Sequence, residues 1–179
     1  MNISVFGGSQ PKKGDAAYAE AMQLGNLLAQ HGHTVLTGGY IGTMEAVSRG
    51  AHEAGGHVIG ATCEDIENWR DIAPNPWIKE ERRYKTLNER LQALIEGCDA
   101  ALALPGGAGT LTEIMLMWNL MIVESRHRSP LILIGHGWQS TLDQFFKEFD
   151  IYIPAKQREF VQFAENVETA VDALESYQV

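Results

Sequence analysis

The residues with the clearest chemical potential form one stretch, residues 104–113, in which three glycines occupy four consecutive positions. Glycines carry no side chain, so a ligand can approach the backbone closely there. An apolar run precedes the stretch, and the residues after it repeat at helical spacing, which predicts the order strand, glycine turn, helix. The free amides and positive dipole end of a helix start attract anions. The stretch therefore predicts a phosphate site formed by Gly106, Gly107, Ala108, Gly109 and Thr110.

Two interpretations of this stretch stay open from spacing alone. Glycine-rich turns between strands and helices also occur simply because the chain must turn tightly. Thr110 and Glu113 lie three residues apart, as in a capping box in which the threonine caps the helix and the glutamate bonds back to its amide. Glu113 is thus a candidate catalytic carboxylate and equally a candidate capping residue.

A second candidate, Arg90, lies on a charged amphipathic helix predicted over residues 80–96. The apolar side of that helix consists of Leu87, Leu91, Leu94 and Cys98. Arg90 and Arg83 lie at the border of this apolar side, at 100° per residue. An arginine at such a border extends to solvent in one interpretation. In the other, Arg90 points along the end of the sheet towards the predicted phosphate site.

The rest of the chain supplies the elements that must position these residues. Strands are predicted over residues 2–6, 34–36, 57–60, 100–104, 130–134 and 160–163. The other helices are predicted over residues 16–30, 44–53, 140–149 and 165–177, and from the glycine turn to about residue 124. Strands that alternate with helices predict an α/β fold, with a mainly parallel sheet flanked by helices and right-handed crossovers. The length of 179 residues suits a single domain, 1–179.

Glycine turns follow the first, second and fourth predicted strands, each at the carboxyl end. Ligands of open α/β sheets bind outside those ends, where the strand order reverses. We therefore expect the three turns to line one crevice, with Ser9 and Gly39 contributing to its wall. Residues 62–78 interrupt the pattern with acidic residues, two prolines and two tryptophans, which indicates an irregular lid or partner surface.

Composition and missing motifs exclude several functions. The formal net charge of −9 disfavours duplex nucleic acid as a partner. No apolar run approaches the ~20 residues that span a bilayer. Two isolated cysteines predict neither a disulfide framework nor a metal site, and we expect a soluble, cytoplasmic protein. The dinucleotide GxGxxG, P-loop, HExxH and GxSxG motifs are absent from the sequence.

Three segments together resemble the LOG (Lonely Guy) family of cytokinin-activating nucleoside 5′-monophosphate phosphoribohydrolases, often mislabelled lysine decarboxylases. They are GGYIGTM at residues 38–44, NER at 88–90 and PGGAGTLTE at 105–113. The last segment matches the family pattern PGGxGTxxE, and the interval from Arg90 to Glu113 matches the spacing of the family's catalytic arginine and glutamate. The resemblance implies a single Rossmann-like three-layer domain, Arg90 and Glu113 as catalytic residues, no metal or organic cofactor, and a homodimer.

The implied reaction cleaves the N-glycosidic bond of a purine nucleoside 5′-monophosphate, giving free base and ribose 5-phosphate. Three departures from the family pattern, Thr112, Leu91 and Glu45, leave substrate recognition and catalysis open. One alternative is a non-catalytic nucleotide or molybdenum-cofactor carrier with the same fold. Another is an interaction scaffold whose acidic, tryptophan-bearing segment binds a partner protein. A lysine decarboxylase is disfavoured because no lysine is marked as a Schiff-base residue.

Overall fold

Seven strands form one parallel sheet at the centre of the computed structural model, which describes residues 1–177. The strands are β1 (Asn2–Phe6), β2 (Thr34–Thr37), β3 (Val58–Cys63), β4 (Glu80–Tyr84), β5 (Ala100–Ala103), β6 (Leu131–Ile134) and β7 (Gln162–Ala164). The helices are α1 (Ala16–Gln30), α2 (Thr43–Glu53), α3 (Glu64–Trp69), α4 (Leu87–Glu96), α5 (Ala108–Ile122), α6 (His136–Glu148), α7 (Ala155–Arg158) and α8 (Val167–Glu175). A 3₁₀ turn covers Asp150–Tyr152.

The strand order, β4-β3-β2-β1-β5-β6-β7, reverses direction between β1 and β5. The chain first adds strands on one side of β1, and then returns to place β5 on the other side. At that reversal the connections after β1 and β5 leave on opposite faces of the sheet, which opens a crevice between them. The glycine turns after these two strands lie at this point, as the sequence predicts.

The core has two parts, one on each face of the sheet. Alternate strand residues point to opposite faces: Ile3 and Val5 pack with α1, α2 and α8, whereas Phe6 packs with α4, α5 and α6. The interior strands β5 and β6 are buried along their whole length, as expected for a parallel sheet covered on both faces. The predicted three-layer α/β architecture is therefore confirmed.

The prediction of one helix over residues 80–96 is wrong for the first part of that range. Residues Glu80–Tyr84 form the edge strand β4, which pairs in parallel with β3 from Ile59 to Cys63. Its charged sequence suits an edge strand, whose outer side is blunted by charge, and pairing with β3 overrides the helical pattern. Arg83 consequently lies on a strand, and not on the helix that carries Arg90.

Smaller differences concern element ends and the interrupted segment. Residues 62–78 are not wholly irregular, because β3 extends to Cys63 and the short helix α3 follows. Helix α6 begins at His136, four residues before the predicted start. Within residues 1–177, no helix is both long and apolar enough to cross a membrane.

Candidate active site

Backbone hydrogen bonds join the three glycine turns at the carboxyl end of the sheet. The Gly8 amide donates to the Pro105 carbonyl over 3.2 Å, which links the turns after β1 and β5. The Gly8 carbonyl accepts from the Thr43 amide at 2.9 Å and from the Thr43 hydroxyl at 3.0 Å, which links the turns after β1 and β2. Gly42 has a positive φ of 74° and faces Gly8 and Ser9 so closely that a Cβ would overlap their backbone. The glycines thus allow three loops to pack as one unit.

A cavity of about 660 Å³ opens above these turns, within the size range of small-molecule sites. Each of the three turns contributes to its lining, and so do α3 and α4. Seven predicted site residues line it, namely Ser9, Arg90, Gly107, Ala108, Gly109, Thr110 and Glu113. The prediction of one crevice shared by three glycine turns agrees with this arrangement.

Helix α5 presents its amino end to the cavity. Gly107 is the N-cap residue, and the first helical hydrogen bond runs from the Leu111 amide to the Gly107 carbonyl at 3.0 Å. The amides of Ala108, Gly109 and Thr110 precede that bond, so the helix itself gives them no acceptor. Free amides of this kind, at the positive end of a 15-residue helix, suit a phosphate group.

Of the two interpretations of Thr110 and Glu113, the capping box is the one that the structure contradicts. The helix begins two residues before Thr110, and Gly107 makes no side-chain capping bond. Thr110 instead lies in the first turn, buried against Gly106, whose missing Cβ would overlap the threonine side chain. Glu113 therefore does not take part in a capping box, the interaction that would have explained this residue without a catalytic role.

The Arg90 side chain points into the fold and not to solvent, with only 5% of its surface exposed. Its Nε donates to the Ala61 carbonyl at 2.7 Å, and its Nη2 donates to the Gly38 carbonyl at 3.2 Å. The Tyr40 ring lies 5.8 Å from the guanidinium carbon, within range of a cation–π interaction. A side chain at Gly38 would overlap the guanidinium group. The ends of β2 and β3 thus hold the arginine over the cavity.

Glu113 faces Arg90 across the cavity floor. The distance from Arg90 Nη1 to Glu113 Oε1 is 4.0 Å, and the glutamate is 8% exposed. Burial raises the pKa of Glu113 to about 7, and the positive charge of Arg90 opposes that rise only in part. Although a helix start and an arginine both favour the ionised form of a carboxyl group, burial prevails here, and both protonation states of Glu113 are populated near neutral pH. Such a group can accept or hold a proton at physiological pH.

Two predicted residues lie beneath the cavity wall and do not line it. Gly39, with a φ of 80°, packs against Gly60 and Thr62 of β3, and its carbonyl accepts from the Asn75 amide at 2.9 Å. Gly106 lies under Thr110, and its Cβ position also approaches the Gly8 amide. Both glycines shape the turns that carry the lining residues.

Several further residues, not predicted as site residues from the sequence, complete the site. Tyr40 is buried, and its hydroxyl accepts from the Cys63 amide at 2.8 Å and donates to the Cys63 carbonyl at 3.1 Å. Met44 places its sulfur 3.8 Å from Arg90 Nη2. Both residues belong to the segment at 38–44 that carries the family resemblance, but their contacts with Cys63 and Arg90 join distant parts of the chain, and the segment alone does not reveal them. For the part of the cavity wall that α3 forms, the only indication in the sequence was a tryptophan in an otherwise acidic segment.

The cavity lining offers little for a resident metal or a Schiff-base cofactor. Among residues 1–177, no group of three or more histidine, cysteine, aspartate or glutamate side chains converges to hold a metal ion. The described lining of the cavity contains no lysine. Its carboxyl and guanidinium groups belong to Arg90, Glu113, Asp65 and Arg70.

Comparison with known proteins places the chain among relatives with a named activity. A family described as "Possible lysine decarboxylase" matches residues 44–174. The cytokinin riboside 5′-monophosphate phosphoribohydrolase LOG7 of Arabidopsis thaliana is 31% identical over 182 residues, covering 98% of this chain and 82% of the relative. The probable enzyme LOGL5 of Oryza sativa subsp. japonica is 32% identical over 144 residues; that match covers 80% of this chain but only 58% of the relative.

A solved structure gives a second kind of similarity. The molybdenum cofactor binding protein from the phototrophic bacterium Rippkaea orientalis superimposes with a TM-score of 0.76 and 26% sequence identity. The match covers 98% of this chain and 95% of that protein. The shared architecture thus extends over essentially the whole of both chains.

Proposed function

Because the chain belongs to the LOG family, whose profile is described as "Possible lysine decarboxylase", we propose that it is a nucleoside 5′-monophosphate phosphoribohydrolase. The substrate class is a purine nucleoside 5′-monophosphate, including those with a modified base. Water cleaves the N-glycosidic bond, and the products are the free base and ribose 5-phosphate. The lining without lysine gives no support to pyridoxal-type decarboxylation, which needs a Schiff-base lysine.

One observation carries this proposal. Glu113 and Arg90, 4.0 Å apart and both buried, lie in the same cavity as the free amides at the start of α5. The amides of Ala108, Gly109 and Thr110 bind the 5′-phosphate, with the Thr110 hydroxyl and Ser9 beside them. That placement fixes the ribose between the phosphate site and the carboxylate–guanidinium pair.

The chemistry follows from the charge that develops as the base leaves. Breaking the bond between C1′ and the base nitrogen gives the sugar oxocarbenium character, which a neighbouring carboxylate stabilises. Glu113 in its ionised form faces C1′ and takes a proton from the attacking water as the new C1′–O bond forms. The base leaves with the electron pair of the broken bond and takes up a proton from solvent, and Glu113 then returns the proton it accepted to solvent, so that one water is consumed overall. Arg90 orients Glu113 and binds a ribose hydroxyl or phosphate oxygen.

The test is to incubate the protein with AMP and N6-substituted analogues and to measure released base by chromatography. The unmodified chain releases base and ribose 5-phosphate in equal amounts. Glu113→Gln keeps the volume and polarity of the side chain but removes its charge, so it loses hydrolysis by at least about a hundredfold while still binding AMP. Near-normal turnover by the Glu113→Gln protein would reject the role of Glu113.

A carrier function is the second candidate, favoured by the similarity to the Rippkaea orientalis molybdenum cofactor binding protein. In that case the cavity holds a phosphorylated ligand without cleaving it. Thr112 and Leu91, two departures from the family pattern, both line the cavity. At these positions a carrier would contact its ligand differently from the hydrolases of the family. Binding of AMP with no base released over many hours would favour the carrier.

We also propose that the protein forms a homodimer through α5. One side of this helix, with Met117, Trp118 and Met121, is buried in the core. A second side carries Leu116 and Leu120, which are apolar and only partly buried. A helix that is apolar on two sides suits burial between subunits.

A further inference from the structure

The segment around α3 is a part of the cavity wall that the proposed reaction leaves unused. Ile66, Trp69, Arg70 and Ile72 of this segment line the cavity, although their segment carries none of the predicted catalytic groups. On the basis of the proposed function, we propose that Trp69, with Arg70 against it, is the platform on which the planar base of the nucleotide stacks.

The cavity lining combines polar groups with large apolar side chains. The α5 amides, Arg90 and Glu113 supply polar groups, whereas the α3 segment contributes Ile66, Trp69 and Ile72, and Ile41 and Leu87 add to the apolar part of the lining. A nucleoside monophosphate is divided in the same way, into a charged phosphate, a ribose and a flat apolar-faced base. With the phosphate at α5 and the ribose at Glu113, the base extends towards α3.

Exposure singles out Trp69 within this wall. Its side chain is 71% exposed, and the neighbouring Ile41 and Leu87 are also exposed, so large apolar surfaces face open space inside a concave site. Apolar surface concentrated in a cavity marks a place where a ligand is buried. The guanidinium carbon of Arg70 lies 4.1 Å from the Trp69 ring centroid. Both flat groups can stack on a base.

Three hydrogen bonds fix the platform relative to the catalytic pair. The Asp65 carboxylate accepts from the Leu87 amide at 2.8 Å, at the start of the helix that carries Arg90. Glu67 accepts from Arg83 Nη2 at 2.6 Å, and it lies 3.3 Å from the Tyr40 hydroxyl, whose single proton it shares with the Cys63 carbonyl. Helix α3 has no buried residue of its own, so these polar contacts set its position. Trp69 is therefore tied to the elements that position Arg90.

Binding of AMP and of ribose 5-phosphate tests the assignment, because the second ligand has the same sugar phosphate but no base. Both affinities are measured by calorimetry in the Glu113→Gln background, which blocks hydrolysis. Adding Trp69→Ala weakens AMP binding about tenfold, the effect of losing one base–aromatic stack. Ribose 5-phosphate binding stays within about twofold, since it makes no stack. Trp69→Phe, which keeps an aromatic face, restores most of the AMP affinity.

Fluorescence gives an independent readout on the same proteins. Trp69 is the most exposed of the four tryptophans, so it dominates the emission that iodide can quench. AMP protects this emission and ribose 5-phosphate does not. Tyr152→Ala is the matched control, because Tyr152 is an exposed aromatic residue outside the cavity lining, and it leaves both affinities unchanged.

The outcomes separate this inference from the proposed function. If Trp69→Ala leaves AMP affinity unchanged while both ligands bind the parent protein, the platform is rejected and the proposed function stands. An equal loss for AMP and ribose 5-phosphate also rejects the platform, since it indicates a general disturbance of the cavity. If neither ligand binds the parent protein, both proposals fail.

Discussion

Burial changes the protonation of Glu113, because a carboxyl group that is shielded from water holds its proton up to a higher pH than an exposed one does. Burial raises its pKa to about 7, although Arg90 lies 4.0 Å away and favours the charged form. The Nε and Nη2 of Arg90 donate to the Ala61 and Gly38 carbonyls, and its Nη1 lies at the outer limit of ion-pair distance from Glu113. The carboxylate therefore remains basic enough to accept a proton from water near neutral pH.

The activity should follow the ionisation of Glu113. If the carboxylate is the active form, kcat/KM for AMP rises about tenfold per pH unit below pH 7 and levels off above it, since the pKa of Glu113 is about 7. Steady-state assays from pH 5 to 9 measure this rise in kcat/KM and the plateau above pH 7. A rate that falls as pH rises through 7 would instead identify Glu113 as a proton donor.

The same group should make the protein less stable at high pH. The native carboxyl, with a pKa raised to about 7 from 4.5, binds its proton more tightly than the unfolded chain does. Its contribution is fully favourable below pH 4.5 and is lost as pH rises through 7. Glu113→Gln is permanently uncharged, so we expect it to be about 3 kcal/mol more stable than the unmodified chain at pH 8.

Urea unfolding at pH 8 and pH 5 measures this difference. At pH 5 the gain should shrink to about 1 kcal/mol or less, because little of the native carboxyl is ionised there. Glu165→Gln, at an exposed position, should show no such pH-dependent gain. An equal gain at both pH values for Glu113→Gln would contradict the assigned pKa.

At the scale of elements, close contact between α1 and α2 forms one side of the core. The two helices approach so closely that a Cβ on Gly50 would overlap the Met22 carbonyl, and a Cβ on Gly25 would overlap the Val47 carbonyl. Helix α2 begins directly after the glycine turn that contacts Gly8. This packing therefore fixes one of the three turns of the site.

Gly50→Ala should accordingly destabilise the protein by about 2–3 kcal/mol, since the methyl group meets backbone that cannot move aside. Gly137→Ala is the matched control, because Gly137 also lies in a helix but has open space at its Cβ position. That control should be neutral or more stable by about 0.5–1 kcal/mol. Thermal and urea unfolding compare the two, and equal effects would show that the helix contact is not the cause.

At the scale of the whole molecule, the layered arrangement leaves α5 with partly buried apolar residues beyond its core side. We expect light scattering to give a mass of about twice the 19.8 kDa of one chain. Val123→Lys, at the exposed end of α5, should raise the dimer dissociation constant about tenfold, the effect of roughly 1.4 kcal/mol. Ile151→Lys, at another exposed apolar position, should not. A single-chain mass for the unmodified protein would reject the dimer.

The sequence by itself determined the layered fold and the start of the site. Buried parallel strands must be short apolar runs, and glycine turns at their carboxyl ends must meet at one edge, so both features follow from local pattern. Thr86 and Glu89 even carry a capping box that marks the true start of α4, although the charged residues before it obscured this signal.

Only the tertiary structure decided what the two catalytic candidates do. The direction of Arg90 depends on the carbonyls of Ala61 in β3 and Gly38 after β2, which lie 29 and 52 residues away along the chain, respectively. The protonation of Glu113 depends on how completely other elements exclude water from it. The edge strand β4 exists because β3 offers it a partner. Desolvation and strand pairing arise from contacts between distant segments, so no local pattern encodes them.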